Sequence, residues 1–100
     1  MKIIMLVCSA GMSTSLLVSK MEKAAEAKNL KVKIFAVSEA EANRYLDEID
    51  VMLLGPQVRF LKKKMEKSVE GKNVPVEVIE SIDYGMMNGE AVLTKAFELL

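Results

Sequence analysis

The fold is decided by the stretch Ile3-Ile4-Met5-Leu6-Val7 and the segment after it, Cys8-Ser9-Ala10-Gly11-Met12-Ser13-Thr14-Ser15. The apolar run has the length of one buried strand, and small and hydroxyl-bearing residues follow it. A strand that ends in a nucleophile, followed by a loop and a helix, favours anion binding because backbone N–H groups and the helix dipole converge there. The same field favours the thiolate of Cys8, so we expect a lowered pKa for this cysteine.

Composition narrows the possible functions. The chain has 100 residues, 14 basic and 14 acidic side chains, one cysteine and no histidine. We expect one domain over residues 1–100, with no nucleic-acid partner, since nucleic-acid binders carry a basic excess. The lone cysteine suits the reducing cytoplasm, and no apolar run is long enough to insert into a membrane. Without histidine, catalysis by a Cys-His pair within the chain and a His-ligated metal site are excluded, and we expect no metal and no cofactor.

Strand and helix patterns alternate along the chain. Apolar runs, some of them containing charged residues as strands at a sheet edge do, predict strands over residues 2–7, 31–36, 50–54 and 76–79. Helices are expected from Ser13 or Thr14, either of which can cap the first one, and over residues 38–46, 58–69 and 89–100. Asn29 and Gly71 are predicted helix stops, Ser38-Glu39-Ala40-Glu41 has capping-box spacing, and residues 81–88 are predicted to be a loop.

This alternation predicts an α/β fold with a doubly wound, four-stranded parallel sheet and helices on both faces. Two strands are apolar on both sides, and the lysines of the second indicate an edge, so the order 2-1-3-4 is favoured. Right-handed crossovers then place the first and last helices on one face and the middle two on the other. Ligands bind at the carboxyl ends of the strands beside the switch point, here the loops at Cys8 and at Gly55-Pro56-Gln57.

The loop after the first strand is suited to a tetrahedral anion. Its backbone N–H groups and the hydroxyls of Ser9, Ser13, Thr14 and Ser15 can surround a phosphoryl group on the Cys8 sulfur. No lysine or arginine occurs from Cys8 to Val18. The low-molecular-weight tyrosine phosphatases carry Cys, five residues, and then Arg-Ser or Arg-Thr in a similar loop, whereas the arginine position here is Thr14. We therefore predict a phosphatase-like phosphate-binding loop that holds a phosphoryl group without hydrolysing it.

Purely structural roles for these residues compete with a role in phosphate binding. A lone cysteine is often a small core residue, and Gly55-Pro56-Gln57 is by itself an ordinary turn. Tyr84-Gly85 either lines the crevice or only turns the chain.

The segment Cys8 to Leu17, directly after a strand, resembles the active-site segment of the enzyme IIB components of the lactose/cellobiose (diacetylchitobiose) type, cytoplasmic units of the bacterial sugar phosphotransferase system. Two later segments support the resemblance, Leu53-Leu54-Gly55-Pro56-Gln57 and Pro75-Val76-Glu77-Val78-Ile79 with Tyr84-Gly85, so that it covers nearly the whole chain.

The resemblance implies that Cys8 is catalytic. It takes a phosphoryl group from a histidine of a IIA protein and passes it to a sugar held by the membrane-embedded IIC protein. Residues Ser9, Ala10, Gly11, Met12, Ser13, Thr14 and Ser15 would bind the phosphate. Candidate contacts with the partners are Met12, Gly55, Pro56, Gln57 and Tyr84.

Two other function classes stay open. A cysteine phosphatase or arsenate reductase would share the loop, although Thr14 in place of arginine counts against it. A non-catalytic anion-binding domain would keep its function after Cys8→Ala.

Overall fold

The computed structural model describes residues 1–9 and 12–100, and within that range it leaves the side chains of Met12 and Ser13 undescribed. Four strands alternate with five helices in this part of the chain. The strands are β1 (Lys2–Val7), β2 (Val32–Val37), β3 (Val51–Leu54) and β4 (Val76–Val78). The helices are α1 (Met12–Ala27), α2 (Glu39–Ala42), α3 (Lys62–Ser68), α4 (Ser81–Gly85) and α5 (Gly89–Leu99). A 3-10 turn (Asn43–Tyr45) extends α2, and another (Pro56–Leu61) leads into α3.

The sheet has the predicted order. Its strands are all parallel and run β2-β1-β3-β4, with β1 in the centre. Val7, the last residue of β1, pairs with Val37 of β2 and Leu54 of β3. The strands therefore end together at one edge of the sheet, and the chain crosses to opposite sides on leaving β1 and β2.

Alternate side chains of the strands pack into two layers, as expected for a sheet covered on both faces. Ile4 and Leu6 pack with buried residues of α1 and α5, including Leu17, Met21 and Val92. Met5 and Val7 pack on the opposite face, where α2, α3 and the segments next to these helices contribute their own set of buried side chains, Ala42, Leu46, Val58, Leu61, Met65 and Val69. The predicted placement of the helices on the two faces is confirmed.

The free side of β4 carries a charged pair. Glu77 lies in the middle of this three-residue strand, and the Lys62 ammonium approaches its carboxylate to 3.1 Å. The hydrogen bond from Lys62 lowers the pKa of Glu77. A charged pair on a short outer strand discourages pairing with another chain, which is a common protection of sheet edges.

The predicted helix ends at Asn29 and Gly71 agree with the backbone conformation. The predicted cap of the first helix and the predicted loop over residues 81–88 are wrong. Asn29 and Gly71 have φ of 57° and 84°, the left-handed conformation that ends a helix. However, α1 begins at Met12, so Ser13 and Thr14 lie within its first turn and neither is its cap. Residues Ser81–Gly85, predicted to be part of a loop, form α4. One helical turn is too short to show an apolar period, and a glycine in it argues against a helix on propensity.

No helix in the described residues is long and apolar enough to cross a membrane.

Candidate functional site

Backbone hydrogen bonds hold Cys8 at the carboxyl edge of the sheet. Its N–H donates to the carbonyl of Val37 at 3.1 Å, and the N–H of Gly55 donates to the carbonyl of Val7 at 2.9 Å. Cys8 therefore lies between the ends of β2 and β3, at the switch point that the topology predicts. The side chain is 4% exposed.

Three groups from different parts of the chain favour negative charge on the Cys8 sulfur and so act to lower its pKa. They are the hydroxyl of Thr14 in α1, the backbone of Gly55 after β3 and the hydroxyl of Tyr84 in α4. Donors of this kind stabilise negative charge on sulfur whenever it develops.

Burial nevertheless dominates the ionisation of this thiol. Desolvation raises the pKa of Cys8, and the hydrogen bonds from Thr14, Gly55 and Tyr84 offset only part of that rise, so the pKa lies above its ordinary value. The expectation of a lowered pKa is wrong in direction. A thiolate in a buried position loses its hydration. The free-energy cost of this loss exceeds the stabilisation that the hydrogen bonds give to the thiolate. Burial therefore favours the neutral thiol over the thiolate.

Tyr84 connects the segments around the thiol. Its hydroxyl lies 3.1 Å from the Thr14 hydroxyl and accepts a hydrogen bond from the Gln57 side-chain amide at 3.1 Å. Thr14 is 2% exposed, so its hydroxyl needs a partner inside the protein. These hydrogen bonds favour the interpretation in which Tyr84 lies at the site, and its place in the crevice stays a prediction.

Gly55 is required for the close approach of these groups. A Cβ placed on it would lie 2.9 Å from the Cys8 sulfur and would also overlap the Gln57 side-chain oxygen. Its φ of −61° is open to any residue, so space rather than backbone conformation excludes a side chain.

A crevice of about 240 Å³ opens beside the thiol on the β2 side. It is lined by Cys8, Thr14, Ser15, Ala36, Val37, Ser38 and Glu41. Hydroxyl groups and one carboxylate are the polar side chains of this lining, and no cation belongs to it within the described part of the chain. The crevice can accept a small group attached to sulfur, held by hydroxyls rather than by ammonium or guanidinium groups.

Ser38 and Glu41 are site residues that sequence reasoning missed. Ser38 precedes α2 but makes no side-chain hydrogen bond to the helix backbone, and its hydroxyl donates instead to the Glu41 carboxylate at 3.3 Å. A side-chain hydrogen bond thus stands where the spacing predicted a capping box, and the hydroxyl does not cap the helix. The signal that could have found these residues was their position, immediately after the strand beside β1.

The other predicted site residues are placed as follows. Ser9 is exposed directly after Cys8, and Ser15 is exposed in the first turn of α1. Gly55 is buried, Pro56 half-buried and Gln57 exposed. The predictions for Ala10 and Gly11 lie outside the described residues, as do those for the side chains of Met12 and Ser13.

Several large apolar side chains are exposed on segments that follow the strand ends. Leu16 in α1 is 50% exposed, Phe60 after β3 is 74% exposed, and Ile82 and Met86 at α4 are 68% and 73% exposed. The sequence predicts no role for the exposed side chains of Phe60, Ile82 and Met86.

Known proteins resemble the chain over nearly its whole length. The family model described as "PTS system, Lactose/Cellobiose specific IIB subunit" matches residues 3–95. The galactose-specific EIIB component of Lactococcus lactis subsp. cremoris is 49% identical over 99% of this chain and 96% of its own length. The cellobiose-specific EIIB component of Lactococcus lactis subsp. lactis has the same identity and coverage. The solution structure of a cellobiose-specific IIB component from Borrelia burgdorferi superimposes with a TM-score of 0.81 at 48% identity, covering 98% of this chain and 90% of that one.

Proposed function

Because this chain belongs to the family of lactose/cellobiose-specific IIB subunits of the sugar phosphotransferase system, we propose that Cys8 is the phosphoryl carrier of its transfer reaction. The family's EIIB components are phosphotransferases that work with EIIA and EIIC partners. In this proposal Cys8 accepts a phosphoryl group from a phosphohistidine of the IIA partner and passes it to a sugar bound by the membrane IIC partner. The observation that carries the proposal is the position of Cys8 at the carboxyl edge of the sheet, against Gly55 and in a crevice shared with Thr14, whose hydroxyl is hydrogen-bonded to Tyr84.

The first transfer forms a sulfur–phosphorus bond and breaks the phosphorus–nitrogen bond of the donor. The electron pair of the broken bond stays on the histidine nitrogen, and the thiol proton is transferred to that nitrogen, directly or through water. The raised pKa keeps this proton on Cys8 until the donor arrives. The three donors then stabilise the charge that develops on sulfur during the transfer.

The second transfer reverses these roles. A sugar hydroxyl oxygen attacks phosphorus, the sulfur–phosphorus bond breaks, and its electron pair returns to the Cys8 sulfur. The sugar hydroxyl gives up its proton, which restores the neutral thiol that burial favours. Donors that stabilise sulfur as a leaving group therefore serve both transfers, since each passes through a partly charged sulfur.

Residues Ser9 to Ser15 hold the phosphoryl oxygens in this account. The loop leads into α1, a helix of 16 residues, whose N-terminal N–H groups favour an anion. Thr14 occupies the position at which a phosphatase with a similar loop would carry an arginine. The Thr14 hydroxyl is hydrogen-bonded to the Tyr84 hydroxyl. The group is thus held by neutral donors, which suits a carrier that must release it to a second partner.

The partners contact the face around Cys8. Met12, Gly55, Pro56, Gln57 and Tyr84 are the predicted contacts. The exposed side chains of Leu16, Phe60, Ile82 and Met86 are further candidates for contact with a partner. The whole chain, residues 1–100, acts as one IIB domain in the cytoplasm and meets the membrane only through IIC. The sugar belongs to the cellobiose, chitobiose and lactose class.

Sugar phosphorylation in a reconstituted system tests the proposal. Purified protein, phosphoenolpyruvate, the upstream phosphotransfer proteins, a cognate IIA and vesicles containing IIC are mixed with labelled cellobiose. Wild-type protein should support sugar phosphate formation, and Cys8→Ser should abolish it while unfolding at a similar temperature. Sugar phosphorylation by Cys8→Ser at the wild-type rate would overturn the role of Cys8. Rapid hydrolysis of an aryl phosphate by the wild type would favour the phosphatase alternative instead.

A further inference from the structure

A second groove lies away from Cys8, between the outer strand β4 and the helices α4 and α5. Its volume is about 390 Å³. Buried side chains of Leu53, Ile79 and Val92 line its inner part, and the partly exposed Val78 and Ala91 widen the apolar lining. Such a volume fits one or two long side chains of a partner rather than a whole helix.

The charges around this groove have one predominant sign. Four carboxylates line it, those of Glu80, Asp83, Glu90 and Glu98, against the single ammonium of Lys95. Within the described residues none of the four carboxylates forms an ion pair, since the salt bridges found there join other residues. An apolar lining under unpaired carboxylates complements a lysine or arginine side chain, whose stem is apolar and whose end is cationic.

The groove includes Asp83, which precedes Tyr84 in α4, and the Tyr84 hydroxyl contacts Thr14 beside the thiol. From there the groove extends along α5 to Glu98, near the end of that helix. A protein bound at the thiol can therefore reach the groove, and a contact in it adds to those made at the crevice.

Two different partners must reach the same thiol, so contacts beyond the crevice decide which of them binds tightly. Cytoplasmic loops of membrane proteins carry an excess of lysine and arginine. Resting on the function proposed above, we infer that this groove, termed the β4–α5 groove, binds a basic cytoplasmic segment of the membrane-embedded sugar-binding partner. The segment inserts lysine or arginine side chains between the four carboxylates while the sugar approaches Cys8.

The test separates the two transfer steps by their partners. The variant Glu90→Lys with Glu98→Lys reverses two charges of the groove without touching the thiol, Thr14, Gly55 or Tyr84. Its matched control is Glu22→Lys with Glu26→Lys, the same charge change at exposed positions of α1 outside the groove. Both variants and the wild type are assayed for phosphorylation of Cys8 by phosphorylated IIA, and for sugar phosphorylation by vesicles containing IIC.

The groove variant should need about tenfold more protein for half-maximal sugar phosphorylation than the control variant, because opposed charges at a contact weaken association. The difference should shrink as salt is raised. Phosphorylation of Cys8 by IIA should be the same in both variants. Equal half-saturating concentrations in the two variants would overturn the inference, as would an equal slowing of both transfer steps. Failure of the wild type to accept a phosphoryl group would instead overturn the proposed function, and the inference with it.

Discussion

The hydroxyl groups of Thr14 and Tyr84 lie 3.1 Å apart although 70 positions separate them in the chain. Both also approach the Cys8 sulfur, and Tyr84 additionally accepts a hydrogen bond from Gln57. This arrangement joins the first turn of α1, the turn after β3 and helix α4 around one thiol. The geometry of the site therefore depends on all three segments at once.

Removal of the Tyr84 hydroxyl should slow transfer to Cys8. Tyr84→Phe removes a hydroxyl that favours negative charge on sulfur and breaks the hydrogen bond with the Thr14 hydroxyl. A hydrogen bond to a group that becomes charged contributes about 1.5–3 kcal/mol, which corresponds to roughly a 10- to 100-fold slower transfer. Phosphorylation by IIA is followed in rapid-quench experiments. Tyr45→Phe is the control, because the Tyr45 ring packs against Phe35 on the other face of the sheet. Equal rates in the two variants would show that the Tyr84 hydroxyl has no part in transfer.

The raised pKa of Cys8 should make the protein less stable at alkaline pH. The unfolded thiol ionises near pH 8.5, whereas the folded thiol keeps its proton to higher pH. The unfolded state thus binds fewer protons above pH 8.5, so the free energy of unfolding falls as pH rises toward the folded pKa. Below pH 8.5 the contribution is fully present.

Denaturant titrations at pH 7 to pH 10 measure this effect, with Cys8→Ser as the control, because serine does not titrate in that range. The wild type should lose more stability than Cys8→Ser over the interval. Parallel stability curves would contradict the raised pKa.

A methyl group at Gly55 should disrupt the site. In Gly55→Ala the new Cβ meets the Cys8 sulfur at 2.9 Å, so the thiol or the Gln57 side chain must move. We expect a loss of about 1–3 kcal/mol in stability, as for other overpacked sites, together with at least tenfold slower phosphorylation. Gly85→Ala is the control, since a Cβ there meets nothing within 4 Å. A Gly55→Ala protein that matches Gly85→Ala in both measurements would refute the steric argument.

Gly89 should matter for stability alone. A Cβ on this residue would lie 2.5–2.6 Å from atoms of Lys20 and Met21, two of them backbone atoms of α1. Backbone moves less readily than a side chain, so Gly89→Ala should lower the free energy of unfolding by about 3 kcal/mol, at the upper end for overpacking. The folded fraction should still accept phosphate at the wild-type rate, because Gly89 does not touch the thiol. Unchanged thermal unfolding would show that α1 and α5 separate without cost.

The fold could be predicted from the sequence because buried strands appear there as runs of apolar residues. The apolar runs of β1 and β3, and the lysines beside β2, were enough to order the sheet and to bring Cys8 close to Gly55. The site could be predicted only where it follows from that topology. Tyr84 gained its role through α4, a helix of one turn that shows no period. The ionisation of Cys8 depends on how completely the surrounding elements close over it, which the residues next to it in sequence do not reveal.

Intact mass spectrometry tests the central claim most directly. The protein is incubated with phosphoenolpyruvate, the upstream phosphotransfer proteins and a cognate IIA, and its mass is compared with that of Cys8→Ser treated in the same way. The account predicts a gain of one phosphoryl group in the wild type, with the lability of a thiophosphate, and no gain in Cys8→Ser. A wild type that gains no phosphoryl group from active partners, or a Cys8→Ser protein that gains one equally well, would contradict it.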